Sequence, residues 1–244
     1  MKSRLNLAIN AVAAVILSVN FAVGQSHSKS SMLDSLQQAS LWIDSVSSGG
    51  WKFEWSSKFM LAINDTTQSV DTLFVNQTVP ESDTTDYFYY EDYRVLSIVG
   101  PYVSWSCSYN GSGGAHPIAG TYYETHAPGS SRQISLTELF PEGVIERALL
   151  ADTLIQAHLT KKDPKDLADL VDNLHGGCAM ELQTLLTSFA VNSIDRDSVT
   201  IDFGITHGCE LMRGNFTEFT IRLPIPKDDR QMFIDARRNH TIGW

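Results

Sequence analysis

The feature that most narrows the fold is a period-two alternation that begins at Trp51. Trp51, Phe53 and Trp55 alternate with Lys52, Glu54 and Ser56. Successive side chains of an extended chain point to opposite faces, so this spacing predicts a strand with one aromatic face. Residues 59–63 extend it, Asn64-Asp65 supplies a turn, and residues 70–75 read as a second strand. After an acidic, polar loop at residues 80–86, aromatics occupy both faces of residues 87–93 and apolar sequence continues through 94–99. Gly100-Pro101 breaks the run, and residues 102–109 resume it with Val103, Trp105 and Cys107 on one face. The glycine-rich residues 110–114 predict a turn or loop. Residues 118–125 predict a further strand.

Helical spacing dominates elsewhere. Residues 25–31 are a polar spacer, and apolar positions from Met32 to Val46 predict one short amphipathic helix ended by Ser47-Ser48-Gly49-Gly50. Residues 136–140 form a short apolar turn stopped by Pro141. Val144, Ile145, Ala148, Leu149, Ile155 and Leu159 predict a helix of about five turns, closed by Asp163-Pro164. Residues 167–174 give another short helix, and 185–191, 198–204 and 216–223 read as three closing strands. Pro224 and Pro226 end the fold, leaving 227–244 as a polar tail or weak helix. Strands, then helices, then strands predict an α+β fold with a largely antiparallel sheet and helices packed on one side. Residues 51–126 make its strand-rich half and 127–226 its helix-and-strand half.

The first 24 residues have another character. Lys2 and Arg4 precede the unbroken apolar run 11–17, and Ala22-Val23-Gly24 offers small residues at a cleavage position. This pattern predicts a signal peptide over 1–24 and a secreted or periplasmic protein. A span needs about 20 nearly continuous apolar residues, and Asn6, Asn10 and Asn20 dilute this stretch. No membrane span is expected after the leader is removed. Losing Lys2 and Arg4, with no acidic residue in the segment, takes the formal charge from −10 to −12. An acidic surface argues against nucleic acid and suits a basic protein partner. In an oxidising compartment two of Cys107, Cys178 and Cys209 can pair. Export favours a disulfide between Cys178 and Cys209; their similar surroundings, His175-Gly-Gly-Cys178 and His207-Gly-Cys209, leave zinc on the two thiols and two imidazoles, or free thiols, as the alternatives.

The segment Tyr109-Asn-Gly-Ser-Gly-Gly-Ala-His-Pro117, followed by Ile134-Ser-Leu-Thr-Glu-Leu-Phe140, resembles an extracellular module. Anti-sigma-V factors, which sense lysozyme, share it with certain peptidoglycan deacetylases. The resemblance covers roughly residues 93–226. It implies recognition by an exported module, with lysozyme, another basic protein or peptidoglycan as partner. Membrane signalling and deacetylation belong to parts of those families for which this chain shows no counterpart. The same resemblance makes Gly113, Gly114, Ala115, His116 and Pro117 the binding candidate. Glycines let a backbone approach a ligand, and an imidazole acts as base or ligand. The plainer reading gives the glycines positive φ in a tight connection, with Pro117 pushing His116 toward extended geometry.

Catalytic templates mostly fail: the sequence holds no Gly-x-Ser-x-Gly, His-Glu-x-x-His or Gly-x-x-x-x-Gly-Lys. The reading therefore assigns no catalytic residue, no metal and no cofactor. The enzymatic alternative is a cell-envelope hydrolase using His116, or His126, with nearby carboxylates such as Glu124. The aromatics Trp51, Phe53, Trp55 and Trp105 and residues 87–90 are either a glycan-stacking platform or, more in keeping with strand aromatics, core packing.

Overall fold

A computed structural model of the protein describes residues 44–76, 88–112, 118–130, 132–161, 163–174, 181–204 and 218–243. The chain divides into two units, Met1–Asp44 and Ser45–Trp244, and the described residues other than Asp44 belong to the second. Both halves expected from the sequence fall within that unit.

The described strands form three antiparallel sheets. The first runs in chain order through β1 (Asp44–Ser48), β2 (Trp51–Trp55), β3 (Phe59–Asn64) and β4 (Val70–Val75). The second joins β5 (Phe88–Val99), β6 (Tyr102–Ser112) and β7 (Ile118–His126). The third contains β8 (Phe189–Asp195), β9 (Ser198–Gly204) and β10 (Glu218–Pro224), with β9 central. Between β7 and β8 come α1 (Leu136–Leu139), α2 (Glu142–Ala151), α3 (Thr153–His158), α4 (Leu167–Asp172) and α5 (Leu182–Thr187); α6 (Arg230–Arg238) follows β10. No helix among the described residues is long and apolar enough to cross a membrane.

Several expected elements change for local reasons. Residues 44–48 are a strand and not the end of a helix. Gly49 and Gly50, at φ +59° and +80°, make the two-residue turn that a hairpin with β2 requires. Residues 110–112 continue β6 instead of opening a loop. The long helix is two, because Asp152 turns extended and its carboxylate caps the next helix, accepting from Leu154 N at 2.9 Å and Ile155 N at 3.0 Å. Leu185 starts no strand: Leu185 and Leu186 bury one side of α5, and alternation begins only at Phe189. The terminal stretch is integral, with Phe233 and Ala236 of α6 buried in the core.

Two cores result. The inward residues of β8–β10, among them Phe189, Val191, Ile201, Phe203, Ile221 and Leu223, join Leu136, Phe140, Ile145, Leu149, Ile155 and Leu170 from the helices. A smaller core places Phe53, Trp55, Met60 and Phe74 of the first sheet against Val95, Val103 and Trp105 of the second. At the start of α1, Ser135 and Glu138 form a reciprocal cap. Arg132 grips Glu138 through two hydrogen bonds of 2.7 and 2.8 Å and holds its carboxyl down at about 2.

The second and third sheets meet through buried hydroxyls. β8 is an edge strand, so its outer backbone groups need partners. Val191 N–H donates to Ser104 Oγ at 3.1 Å, and Thr125 Oγ1 donates to the Phe189 carbonyl at 2.9 Å. Ser104 Oγ and Thr125 Oγ1 lie 2.9 Å apart. Because the Thr125 proton is committed to Phe189, Ser104 must be the donor between them. Ser97 Oγ donates to the Val191 carbonyl at 2.6 Å. The outer edge of β5 is covered in turn. Ile98 N–H donates to the Thr241 carbonyl at 2.6 Å, and Thr241 Oγ1 donates to the Ile98 carbonyl at 2.6 Å. Ser104→Ala is expected to lower unfolding free energy by about 1–3 kcal/mol, since a buried amide loses its acceptor. Ser108→Ala, exposed on the same face of β6, should stay within about 0.5 kcal/mol. Denaturant titration of both variants measures the difference.

Candidate functional site

The face of β5–β7 opposite these hydroxyls follows from strand parity. Register places Tyr93, Cys107 and Tyr122 in one row, Glu91, Tyr109 and Gly120 in the next, and Tyr89, Gly111 and Ile118 beyond. Val95, Trp105 and Glu124 make the row on the other side. Where the first sheet covers this face, Phe74 stacks on Tyr93 at 4.2 Å and tilts against Trp105 at 5.5 Å. Asn76 Nδ2 ties the end of β4 to the Glu91 carbonyl at 2.7 Å. Past that point Tyr89, Glu91, Tyr109 and Tyr122 are partly exposed, and Ile118 is 50% exposed. Among the described residues this face carries Glu91 and Glu124 and no Lys or Arg.

The phenols form a directed network. Tyr89 Oη donates to Glu91 Oε1 at 3.1 Å, and Tyr93 Oη donates to Glu91 Oε2 at 3.0 Å. Tyr122 Oη lies 3.0 Å from Tyr93 Oη and, with the Tyr93 proton committed, must donate to it. Burial first, then the bond to Glu91 and its charge, push the Tyr89 phenol from 10.0 up to about 12. Burial also raises Tyr93 and Tyr122. Cys107 is free and fully buried, and burial pushes its thiol up, so it is poorly suited to act as a nucleophile.

Glu124 and His126 are brought together, with Oε2 and Nε2 3.0 Å apart and the imidazole stacked on Trp105 at 4.6 Å. The carboxylate orients the ring. Trp105 Nε1 is the one buried side-chain nitrogen or oxygen without a hydrogen-bond partner among the described residues. Among those residues no hydroxyl or thiol bonds to His126.

Gly113, Gly114, Ala115, His116 and Pro117 lie outside the described residues, and so do Cys178 and Cys209. Phe53, Trp55 and Trp105 are core residues, 0%, 9% and 1% exposed, which removes them from a glycan platform. The tyrosine row across three strands was not read from the sequence. Its signal was the i, i+2 spacing of Tyr89, Glu91 and Tyr93, which the neighbouring Tyr90 on the other face obscures. Comparison with protein-family models, characterised proteins and solved structures finds no match for this chain.

A raised phenol contributes stability fully present below pH 10 and lost as pH climbs toward 12. Glu91→Gln removes the charge and one of the two acceptor oxygens that assist this shift. Ultraviolet titration should then show more tyrosinate forming near pH 10 than in the parent protein, and identical curves would contradict the network.

Proposed function

We propose that the protein is a non-catalytic exported recognition module that binds a basic protein such as lysozyme, or a cell-envelope component. The observation that carries this reading is the partly exposed end of the β5–β7 face, where tyrosines surround carboxylate and, among the described residues, no Lys or Arg is present. Tyrosine is enriched at protein interfaces because one end is apolar and the other polar. The formal charge of −10, or −12 without the leader, steers cationic partners toward such a face. The resemblance to a lysozyme-sensing module points the same way. The helices are taken as one layer on the inward side of β8–β10, leaving the tyrosine face of β5–β7 to a partner.

A second reading, an envelope hydrolase, is favoured by the 3.0 Å Glu124–His126 pair. It requires turnover of peptidoglycan or ester substrates that His126→Gln abolishes without unfolding the protein. For the leading reading, lysozyme pull-down at low and at moderate salt should recover the protein in both, more weakly in the second because salt screens the attraction. Failure to bind in either condition would remove lysozyme as the partner.

A further inference from the structure

The tyrosine face carries a chemistry finer than attraction between opposite charges. Gly111 stands opposite Tyr89 in the register, and Gly120 opposite Tyr109. With no side chain on either glycine, each ring lies across its partner's backbone. A Cβ on Gly111 would sit 3.0 Å from Tyr89 Cδ2, and one on Gly120 would sit 2.7 Å from Tyr109 Oη and 2.9 Å from its Cζ. The two rings are 6.5 Å apart between centroids and only 28° from parallel, so they tile the sheet with their outer faces side by side. Tyr122 continues the tile 6.1 Å from Tyr109. Exposed Ile118 borders it, and the Glu91 carboxylate lies within it.

A planar π surface beside a carboxylate matches one cationic side chain better than another. Guanidinium is flat, weakly hydrated and stacks on aromatic faces while pairing with carboxylates; ammonium is a compact, strongly hydrated point charge. A neutral sugar would use the rings and donate hydroxyls to the carboxylate, but it draws no long-range attraction from the charge. We infer that Tyr89 and Tyr109, with Glu91 beside them, form a docking platform for an arginine side chain presented by a cationic protein. The inference rests on the recognition reading and adds to it the place of contact and the side chain engaged.

Calorimetric titration of the full chain with a hexa-arginine and a hexa-lysine peptide tests it. Hexa-arginine should bind several-fold more tightly. Tyr109→Leu and Tyr89→Leu should each weaken it about two- to fivefold, the range of an exposed cation–π contact. Tyr90→Leu, on the opposite face, should leave binding unchanged, and Tyr109→Phe, which keeps the ring, should bind more tightly than Tyr109→Leu. Should a leucine variant fail to fold, chemical-shift mapping on the unaltered protein decides: arginine-induced shifts must centre on Tyr89 and Tyr109. Equal affinity for the two peptides, or shifts centred elsewhere, overturns the platform. Lysozyme binding undiminished in folded Tyr89→Leu and Tyr109→Leu also overturns it, while leaving recognition standing. Arginine binding at the platform with no lysozyme binding supports the platform and removes lysozyme as its partner.

Discussion

The architecture depends on a short series of hydrogen bonds that no backbone ladder supplies: Val191 N–H to Ser104, Ser104 to Thr125, Thr125 to the Phe189 carbonyl. Among the described strands β8 has a neighbour on one side only, and its other edge is buried against the second sheet. Unpaired backbone groups there would cost about 1–3 kcal/mol each. Small hydroxyl side chains solve this because each accepts once and donates once, so one row of serine and threonine satisfies a strand that cannot pair. The clasp of Thr241 on Ile98 does the same for the edge of β5 and makes the C-terminal stretch part of the fold.

The seam also decides which side chains face outward. Turning Ser104 and Thr125 toward β8 turns Trp105, Cys107, Tyr109, Tyr122 and Glu124 to the other face, since alternate residues of a strand point opposite ways. The first sheet covers the Trp105 end of that face. The tyrosine end, past Asn76, is partly exposed. Structural and candidate functional roles are thus divided along the same three strands: their hydroxyl face holds the sheets together and the opposite face offers a surface.

Much of this was legible in the sequence. Trp51–Trp55 and Ser198–Gly204 alternate plainly, and they and the apolar-rich Val70–Val75 are strands. The short apolar turn read at 136–140 is helical over Leu136–Leu139, while the Ser135–Glu138 cap that starts it was not read. What escaped depends on contacts distant in sequence. Asp152 breaks a good helical pattern because its carboxylate competes for two backbone amides. The polar look of residues 227–244 hides Phe233, which becomes buried only once the core is assembled. Tyr109 meets Gly120, and Tyr89 meets Gly111, only in the register of the folded hairpins. A sequence read locally shows tyrosines and glycines but not which lies over which.

Hydrogen exchange at the Val191 amide tests the seam most directly, because that amide bonds to a serine hydroxyl and not to a neighbouring strand. The seam as described requires Val191 to exchange as slowly as the amides of central strand β9, opening only with global unfolding. Exchange at the rate of an exposed edge amide would contradict it, and with it the arrangement that turns the tyrosines outward.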